Sequence, residues 1–229
     1  SQMVSFLKTD HSEIQATNEK IGASLLDCLW HCEKPLLRTA PIPLFLLSDV
    51  VRESGYKVVL TGEGADEVFG GYNIFREAKV RRFWAKYPNS QSRAGLVGQL
   101  YPYIFNNPRL KRTLQSFFAK GLDKTDNPIF SHLIRWENTS RIKTFFSKEL
   151  VAEVGSYDGY DQVKQNLPAD YEKWDYLSKA QYLEMTIFLS NYLISSQGDR
   201  VAMAHSVEIR LPYLDPRLMD FMGRVPAKW

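Results

Sequence analysis

The feature that most constrains this chain is a short apolar strand that runs directly into a turn rich in glycine and acidic residues. Residues 57–61, KVVLT, are apolar or β-branched at consecutive positions, which is typical of a strand covered on both faces in a parallel sheet. Residues 62–67, GEGADE, follow at once, and a helical pattern begins after them. Because α/β proteins bind ligands at the carboxyl ends of such strands, this turn is the first candidate site.

The residues of this turn are compatible with an anionic ligand that is held through a divalent cation. Gly62 and Gly64 let the backbone approach a ligand and offer amide N–H groups, and the N-terminus of the next helix adds positive charge. The carboxylates of Glu63, Asp66 and Glu67 would repel a phosphate unless Mg²⁺ lay between them. The alternative is a structural turn, in which the glycines allow the bend and Asp66 caps the helix for about 1 kcal/mol.

Helices are expected on both sides of the strand. Apolar residues recur at helical spacing over residues 18–32 and again from Pro43 to a stop at Gly55. Two long helices are expected further along, at 68–87 and 176–196.

An extended segment with alternating side chains is expected at 207–211, and Asp215-Pro216 has the residue types that open a last helix. We therefore predict an α/β fold, with a partial parallel-sheet layer in residues 1–75 and a mainly α-helical remainder of the same domain in residues 76–229.

Composition excludes several classes of protein. Of the 229 residues 44% are apolar and 24% are charged, which is ordinary for a globular chain and excludes general disorder. No apolar run approaches the about 18 residues that cross a bilayer, so we expect no membrane partner. Residues 1–3 lack the pattern of a secretory signal. With only two cysteines, we expect a reducing, cytoplasmic setting.

The two cysteines lie on the apolar ridge of the first predicted helix. Cys28, His31 and Cys32 are close enough to raise the question of zinc, but a tetrahedral site needs a fourth ligand and another spacing. We therefore expect buried thiols. None of the remaining histidines stands at a recognisable spacing from an acid and a nucleophile, and we predict structural or surface roles for His11, His132 and His205.

Charge is distributed unevenly along the chain. The net charge is +3, but residues 74–124 contain 11 basic and two acidic side chains. Basic and aromatic residues alternate over 75–87, a pattern that occurs in nucleic-acid-binding helices. The alternative is an amphipathic helix with its aromatic residues in the core and a solvated basic face. We expect this second arrangement and no nucleic-acid partner.

Two longer strings carry a resemblance to a known family. Residues 60–72, LTGEGADEVFGGY, resemble the pattern of the synthetase domain of asparagine synthetases. Residues 198–215, GDRVAMAHSVEIRLPYLD, resemble the second signature of that family, in the same order along the chain. Weaker similarity extends over nearly the whole chain. The resemblance implies that the α/β layer in residues 1–75 is a partial nucleotide-binding layer of ATP-pyrophosphatase type, with an adenine nucleotide alpha hydrolase-like fold.

The resemblance implies an enzyme that uses ATP and Mg²⁺ to adenylate the side-chain carboxylate of aspartate. Ammonia, made from glutamine in a separate N-terminal domain, then attacks β-aspartyl-AMP and gives asparagine, AMP and pyrophosphate. By matching positions, Thr61, Gly62 and Gly64 would contact the nucleotide. Glu63 would help to form the acyl-adenylate and take a proton from ammonia, and Asp66 would hold Mg²⁺. The resemblance also brings a homodimer into consideration.

Charged residues of the second signature are candidates for contact with the amino-acid substrate. An α-amino group pairs with an acid and a carboxylate with a guanidinium, which assigns such roles to Asp199 and Arg200. The alternative is an internal ion pair that joins two helices. Glu208 and Arg210 alternate along the extended segment, and we expect them to form a structural pair beneath the site.

Three parts of the family pattern are missing from this sequence. The pyrophosphate-binding string Ser-Gly-Gly-x-Asp-Ser does not occur, no cysteine stands at a mature N-terminus, and the chain stops before the region of the family's phosphate-contacting lysine. We therefore expect an excised piece of a synthetase that does not make asparagine by itself. Two other functions stay open: a related adenylating enzyme that amidates or cyclises another carboxylate, as in β-lactam or lasso-peptide formation, and a non-catalytic interaction module.

Overall fold

The computed structural model describes residues 2–105 and 108–228, which divide into two compact units. The first unit combines Ser1–Gly64 with Thr186–Met219. The second unit combines Ala65–Met185 with Asp220–Trp229. Within the described ranges, no helix is both long and apolar enough to cross a bilayer.

Helices account for most of both units. In chain order they are α1 (Gln2–Leu7), α2 (Asn18–Ala23), α3 (Leu25–Cys32), α4 (Pro41–Glu53), α5 (Ala65–Phe69), α6 (Asn73–Ala85), α7 (Gln91–Leu100), α8 (Pro102–Phe105), α9 (Pro108–Ala119), α10 (Phe130–Ser140), α11 (Lys148–Val154), α12 (Gly159–Gln165), α13 (Tyr176–Leu183), α14 (Arg200–Met203) and α15 (Pro216–Gly223). Short 3₁₀ segments occupy Leu122–Lys124, Arg141–Phe145, Tyr171–Lys173 and Pro212–Leu214, and a π-helix occupies Glu184–Asp199. The strands are β1 (Val58–Leu60) and β2 (Glu208–Arg210).

The two strands form a parallel sheet in the first unit. Val59 pairs with Ile209 at the centre of the ladder, and Thr61 N donates to Arg210 O at 3.0 Å just beyond β1. A small parallel sheet among many helices confirms the α/β prediction at this level. The adenine nucleotide alpha hydrolase-like arrangement stays a prediction.

One face of β1 is exposed. Val58 and Leu60 are 39% and 72% exposed, whereas Val59 lies on the face that α4 and α14 share. The expectation that the strand is covered on both faces is therefore wrong for the described residues, because these helices lie on one side of the sheet only.

The core of the first unit joins α3, α4 and α14. Cys28, Cys32, Ile42 and Val201 are buried together at its centre. The two thiols are free, with their Sγ atoms 3.9 Å apart, so the prediction of buried cysteines is confirmed. The helix expected over 18–32 is interrupted at Ser24, where α2 ends and α3 begins.

The core of the second unit is formed by α6, α7, α9 and α10. Its buried members are Trp84, Ala94, Val97, Tyr101, Phe118, Leu122 and Ile134. The helix expected over 68–87 is divided into α5 and α6, because Gly70 takes a left-handed φ of +68° between them.

The basic face of α6 differs from the expectation of a fully solvated one. Arg81 is completely buried, and its guanidinium donates to the carbonyls of Phe118, Lys120 and Phe130. Burial lowers the Arg81 pKa to about 10. Phe83, in contrast, is 45% exposed. The helix is amphipathic, but one arginine belongs to its core and one aromatic ring to its surface.

The helix expected over 176–196 begins as α13 and then widens into the π-helix. Thr186 O accepts bonds from Ser190 Oγ at 2.7 Å and from Asn191 Nδ2 at 2.9 Å. Ser195 Oγ donates to Asn191 O in the same way, at 2.7 Å. Such side-chain bonds compete with the backbone for helix carbonyls and favour an irregular turn.

Candidate functional site

The turn after β1 has the bend that the sequence predicts. Its two glycines differ in backbone conformation and in the space available for a side chain. Gly64 has a φ of +90°, and the side chain of Leu214 lies where a Cβ would stand, so any other residue would be strained and would have to displace Leu214. Gly62 has no positive φ, and no atom of residues 2–105 and 108–228 lies within 4 Å of a Cβ built on it. The fold does not require glycine at position 62, and the space beside that backbone is open to a ligand.

A cavity of about 250 Å³ lies beside this turn, within the first unit. Its wall is mostly apolar, with residues from α4, α14 and both strands; four polar residues also line it, namely Ser48, Thr61, Glu63 and Gln197. Thr61 Oγ1 is buried and has no hydrogen-bond partner among the described residues. Since an unsatisfied buried hydroxyl costs free energy, a ligand that bonds to it would be stabilised there.

The acidic residues of the turn fall into different units. Glu63 is half-buried in the first unit and lines the cavity. Asp66 is exposed in the first turn of α5, in the second unit, where its carboxylate lies against Gly71. Glu67 is buried in the same helix and accepts a bond from the Tyr72 hydroxyl at 3.1 Å. Exposure leaves Asp66 the more accessible of the two carboxylates on α5.

The carboxylates near the turn are compatible with an Mg²⁺ ion whose other ligands are phosphate oxygens. No group of three or more histidine, cysteine, aspartate or glutamate side chains within residues 2–105 and 108–228 could hold a metal by itself. Mg²⁺ that is bound mainly by phosphate oxygens needs only one or two carboxylates from the protein. The exposed carboxylate of Asp66 fits that requirement.

Asp199 and Arg200 are not part of the cavity wall. Asp199 ends the π-helix with an exposed side chain. Arg200 Nε donates to Glu33 Oε2 at 3.0 Å, and its Nη1 to Ser196 Oγ at 3.4 Å. The Glu33 pair is exposed and joins the end of α3 to α14, so it is not the internal pair of the structural alternative, and substrate contact stays a prediction. Gln197, two residues before Asp199, does line the cavity.

Glu208 and Arg210 form the pair that their spacing predicts. Arg210 Nε donates to Glu208 Oε1 at 2.8 Å. Both side chains are exposed, because their strand partners Val58 and Leu60 lie on the uncovered face of the sheet. The pair is therefore a surface feature of β2, and the expectation that it lies beneath the site is wrong.

His205 has polar partners that the sequence did not reveal. Its Nδ1 lies 2.8 Å from Ser48 Oγ, and its Nε2 lies 3.7 Å from Asp49 Oδ1. No sequence spacing reveals these partners, because the fold brings in residues about 157 positions away. Ser48 is not an activated nucleophile, since its hydroxyl is already bonded to the carbonyls of Phe45 and Val201.

His132, in the second unit, has a similar set of neighbours. Its Nδ1 lies 2.8 Å from Ser131 Oγ and its Nε2 lies 3.1 Å from Glu184 Oε1. All three side chains are buried. None of them lines the cavity beside β1, and the structural role of His132 stays a prediction.

An open turn at the carboxyl end of a parallel strand, beside a cavity, is the arrangement of an α/β ligand-binding protein. The family model of asparagine synthase matches residues 1–229, and the chain belongs to this family.

Curated relatives resemble the chain at modest identity. It is 24% identical to amidase chry2 of Gibberella zeae, over 96% of this chain and 33% of that protein. It is 26% identical to a putative glutamine-hydrolysing asparagine synthetase of Mycobacterium tuberculosis, over 91% of this chain and 30% of that protein. It is also 26% identical to the glutamine-hydrolysing asparagine synthetase 1 of Bacillus subtilis, over 86% of this chain and 29% of that protein. The chain thus spans about a third of the length of these relatives. No solved structure gives a significant match.

Proposed function

We propose that this chain is the synthetase part of an ATP-dependent enzyme that adenylates a carboxylate and transfers ammonia to it. With aspartate as the acceptor, the products are asparagine, AMP and pyrophosphate. The observation that carries this proposal is the turn after β1, where the unsatisfied hydroxyl of Thr61, the open space at Gly62 and the carboxylate of Glu63 adjoin one cavity. Membership of the asparagine synthase family supports the chemistry.

The turn would bind the nucleotide. The Thr61 hydroxyl has a hydrogen to donate and no acceptor within the described ranges, and the backbone at Gly62 is accessible to a phosphate or ribose oxygen. Gly64 keeps the bend that holds both in place. Asp66 would hold Mg²⁺, which supplies the charge neutralisation that lets a triphosphate and a carboxylate approach each other.

Glu63 would act as a general base. When the nitrogen of ammonia bonds to the acyl carbon, the bond to AMP breaks, AMP leaves with the electron pair, and one proton must leave the nitrogen. A half-buried carboxylate at the cavity wall is a suitable acceptor for that proton.

The exposed carboxylate of Asp199 would pair with the α-amino group of the substrate. Arg200 would contact the substrate carboxylate through N–H groups that Glu33 and Ser196 leave unused.

A second acceptor class is favoured by one of the comparisons. The chain is 24% identical to an amidase of Gibberella zeae, which is close to its 26% identity to asparagine synthetases. The same adenylating site would then activate a carboxylate other than that of aspartate. Two relatives are named as glutamine-hydrolysing, which supports ammonia derived from glutamine as the nitrogen donor. The free thiols of Cys28 and Cys32 support a reducing, cytoplasmic setting.

Nucleotide binding tests the proposal. The change Gly62→Ala adds a methyl group to the open space at the turn, and we expect the affinity of the chain for ATP with Mg²⁺, measured by titration calorimetry, to fall about tenfold. The change Gly22→Ala is a matched control, since its Cβ also meets nothing within 4 Å but lies on α2. The control should bind as the unmodified chain does. Absence of binding, or equal affinity in both variants, would contradict the proposed site.

The acceptor is tested separately by exchange of pyrophosphate into ATP. The 229-residue chain is expected to show no aspartate-dependent exchange, because its sequence contains no Ser-Gly-Gly-x-Asp-Ser string. Profiling of carboxylates with the full-length gene product distinguishes the two acceptor classes. Exchange that depends on aspartate supports asparagine synthesis, and exchange that depends on another acid supports the second class.

A further inference from the structure

His205 lies where the chain passes from α14 to β2, and its ring contacts one face of α4. The imidazole Nδ1 is 2.8 Å from Ser48 Oγ, Nε2 is 3.7 Å from Asp49 Oδ1, and the ring centroid is 4.4 Å from that of Phe45. These three α4 residues are spaced as neighbours on a single helix face. One side chain therefore holds the segment before β2 against α4.

The other hydrogen bonds of Ser48 decide which atom donates in its bond with His205 Nδ1. Its hydroxyl has a single hydrogen, and the carbonyl oxygens of Phe45 and Val201, at 2.7 and 3.1 Å, can only accept. The hydroxyl hydrogen is directed to these carbonyls, so the third neighbour must donate. The proton of a neutral His205 ring is therefore on Nδ1. Nε2 is then unprotonated and makes no hydrogen bond to Asp49, so Ser48 and Phe45 provide the contacts to α4.

This bond connects two parts of the cavity wall. Ser48 itself lines the cavity, as does Val51 one turn further along α4. Val201 and Val207, on either side of His205 in the sequence, line it as well. Beyond Val207 the chain enters β2, whose pairing with β1 continues into the turn at Thr61. A shift of α4 away from this segment would change the width of the cavity.

We propose that His205 is a positioning residue for the cavity, and that it fixes α4 against the start of β2 by donating from Nδ1 to Ser48 Oγ. It does not line the cavity and acts through Ser48. The inference rests on the proposed function in one respect only, which is that the cavity receives the nucleotide.

The protonation state of the ring is the first test. Long-range ¹H–¹⁵N correlation spectra of the labelled chain at pH 8 report which ring nitrogen carries the proton. We expect a protonated Nδ1 and an unprotonated Nε2 at His205. A ring that carries its proton on Nε2 alone would overturn the proposal, because Ser48 would then lack its third bond.

Two substitutions separate a positioning role from general packing. The amide nitrogen of His205→Asn can occupy the place of Nδ1, whereas that of His205→Gln reaches the place of Nε2. We expect amide hydrogen exchange over residues 44–51 to accelerate about tenfold in the Gln variant, the equivalent of one ordinary hydrogen bond, and to stay near the unmodified rate in the Asn variant. The affinity for ATP should fall in the Gln variant and stay near that of the unmodified chain in the Asn variant. His11→Asn, at an exposed position, is the control and should change neither.

The outcomes are distinguishable from failure of the proposed function. If the unmodified chain binds no nucleotide, the proposed function fails, while the proton position and the exchange rates still decide the role of His205. Equal exchange rates in the Asn and Gln variants would overturn the positioning role, whatever the nucleotide result.

Discussion

Glu77 of α6 is a carboxylate with no exposed surface, and its charge is compensated by two neighbours. Arg135 donates to both of its oxygens, at 2.9 and 2.5 Å, and the Tyr101 hydroxyl donates at 2.6 Å. Burial opposes the charge on Arg135, but the bonds and charge of Glu77 outweigh it and hold the Arg135 pKa above its ordinary value. Burial, and then the charge of Glu77, raises the pKa of Tyr101. Loss of the carboxylate would leave both Arg135 and Tyr101 without this partner.

Replacement of the carboxylate should therefore be costly. The change Glu77→Gln leaves the buried part of Arg135 without a counter-charge, and we expect a loss of about 3 kcal/mol in the free energy of unfolding. Urea denaturation of the variant measures it. Glu153→Gln removes an exposed carboxylate of the same unit and should stay within about 0.5 kcal/mol of the unmodified chain. Similar losses in the two variants would show that the buried pair is not stabilising.

The buried thiol of Cys28 makes stability depend on pH in the alkaline range. Burial, and then the neighbouring Cys32, raises the Cys28 pKa from 9.0 to about 12. The folded chain therefore keeps a proton that the unfolded chain loses above pH 9. The stability contributed by this proton is complete below pH 9 and is lost as the pH rises toward 12.

Unfolding free energies of the unmodified chain and of Cys28→Ala, measured between pH 8 and pH 11, isolate this effect. The curve of the unmodified chain should fall more steeply above pH 9, by up to about 1.4 kcal/mol per pH unit, so that the two curves converge. Other groups titrate in this range, but they are common to both proteins. Parallel curves would mean that the folded thiol ionises as easily as the unfolded one.

At the level of elements, the passage from β1 into α5 depends on the left-handed turn at Gly64. Gly55, just after α4, allows the effect of a positive φ to be separated from the effect of crowding at the Cβ position. Both residues have positive φ, +90° and +84°, but only at Gly64 is the place of a Cβ taken by Leu214. The backbone conformation is common to both sites, and the crowding is specific to one.

Alanine at the two positions should therefore differ in cost. Gly55→Ala carries the strain of a positive φ alone, and we expect a loss of about 1 kcal/mol. Gly64→Ala also displaces Leu214, which should add about 1–3 kcal/mol. Thermal and urea unfolding of both variants give the difference. Equal losses would show that Leu214 moves aside freely.

The sequence predicts those elements whose signal is local. The β-branched run at 57–61 places β1 to within one residue at each end, and Asp215 accepts from Arg217 N at the start of α15 as expected. The break at Ser24 and the widening at Glu184 were missed, because they depend on caps and side-chain bonds rather than on apolar spacing. The uncovered face of β1 was missed because periodicity indicates which residues are apolar but not what lies against them.

The same limit applies to the candidate site. Thr61, Gly62 and Glu63 follow one another in a recognisable string, so the sequence was sufficient to select them, and the structure places Thr61 and Glu63 on the cavity. Ser48 and Gln197 line the same cavity but come from distant helices. No spacing rule connects them to the turn, and only tertiary packing brings them there.

At the scale of the whole molecule, a net charge of +3 conceals a basic segment at 74–124, and much of that basicity is used internally. Arg81 is bonded to three buried carbonyls. Arg82 donates to Thr125 O at 2.5 Å. Arg93 donates to Phe83 O and lies over the rings of Phe83 and Tyr87, with its Cζ 3.9 and 4.1 Å from their centroids. Three cations of the basic segment thus stabilise the second unit, and two of them, Arg81 and Arg82, belong to the 75–87 pattern that resembles a nucleic-acid-binding helix.

We therefore expect no functional RNA binding by this chain. The exposed cations Arg76, Lys79 and Lys86 remain. The rings of Phe83 and Tyr87, however, each have one face against Arg93, so that face is not available for stacking on bases. Fluorescence anisotropy with a labelled single-stranded RNA should show no binding at about 150 mM salt, where phosphate contacts are already weakened by counterions. Affinity that persists there, and whose logarithm falls linearly with the logarithm of salt concentration, would contradict this expectation. In that case Lys79→Gln should reduce the slope by about one, as expected for loss of one phosphate contact.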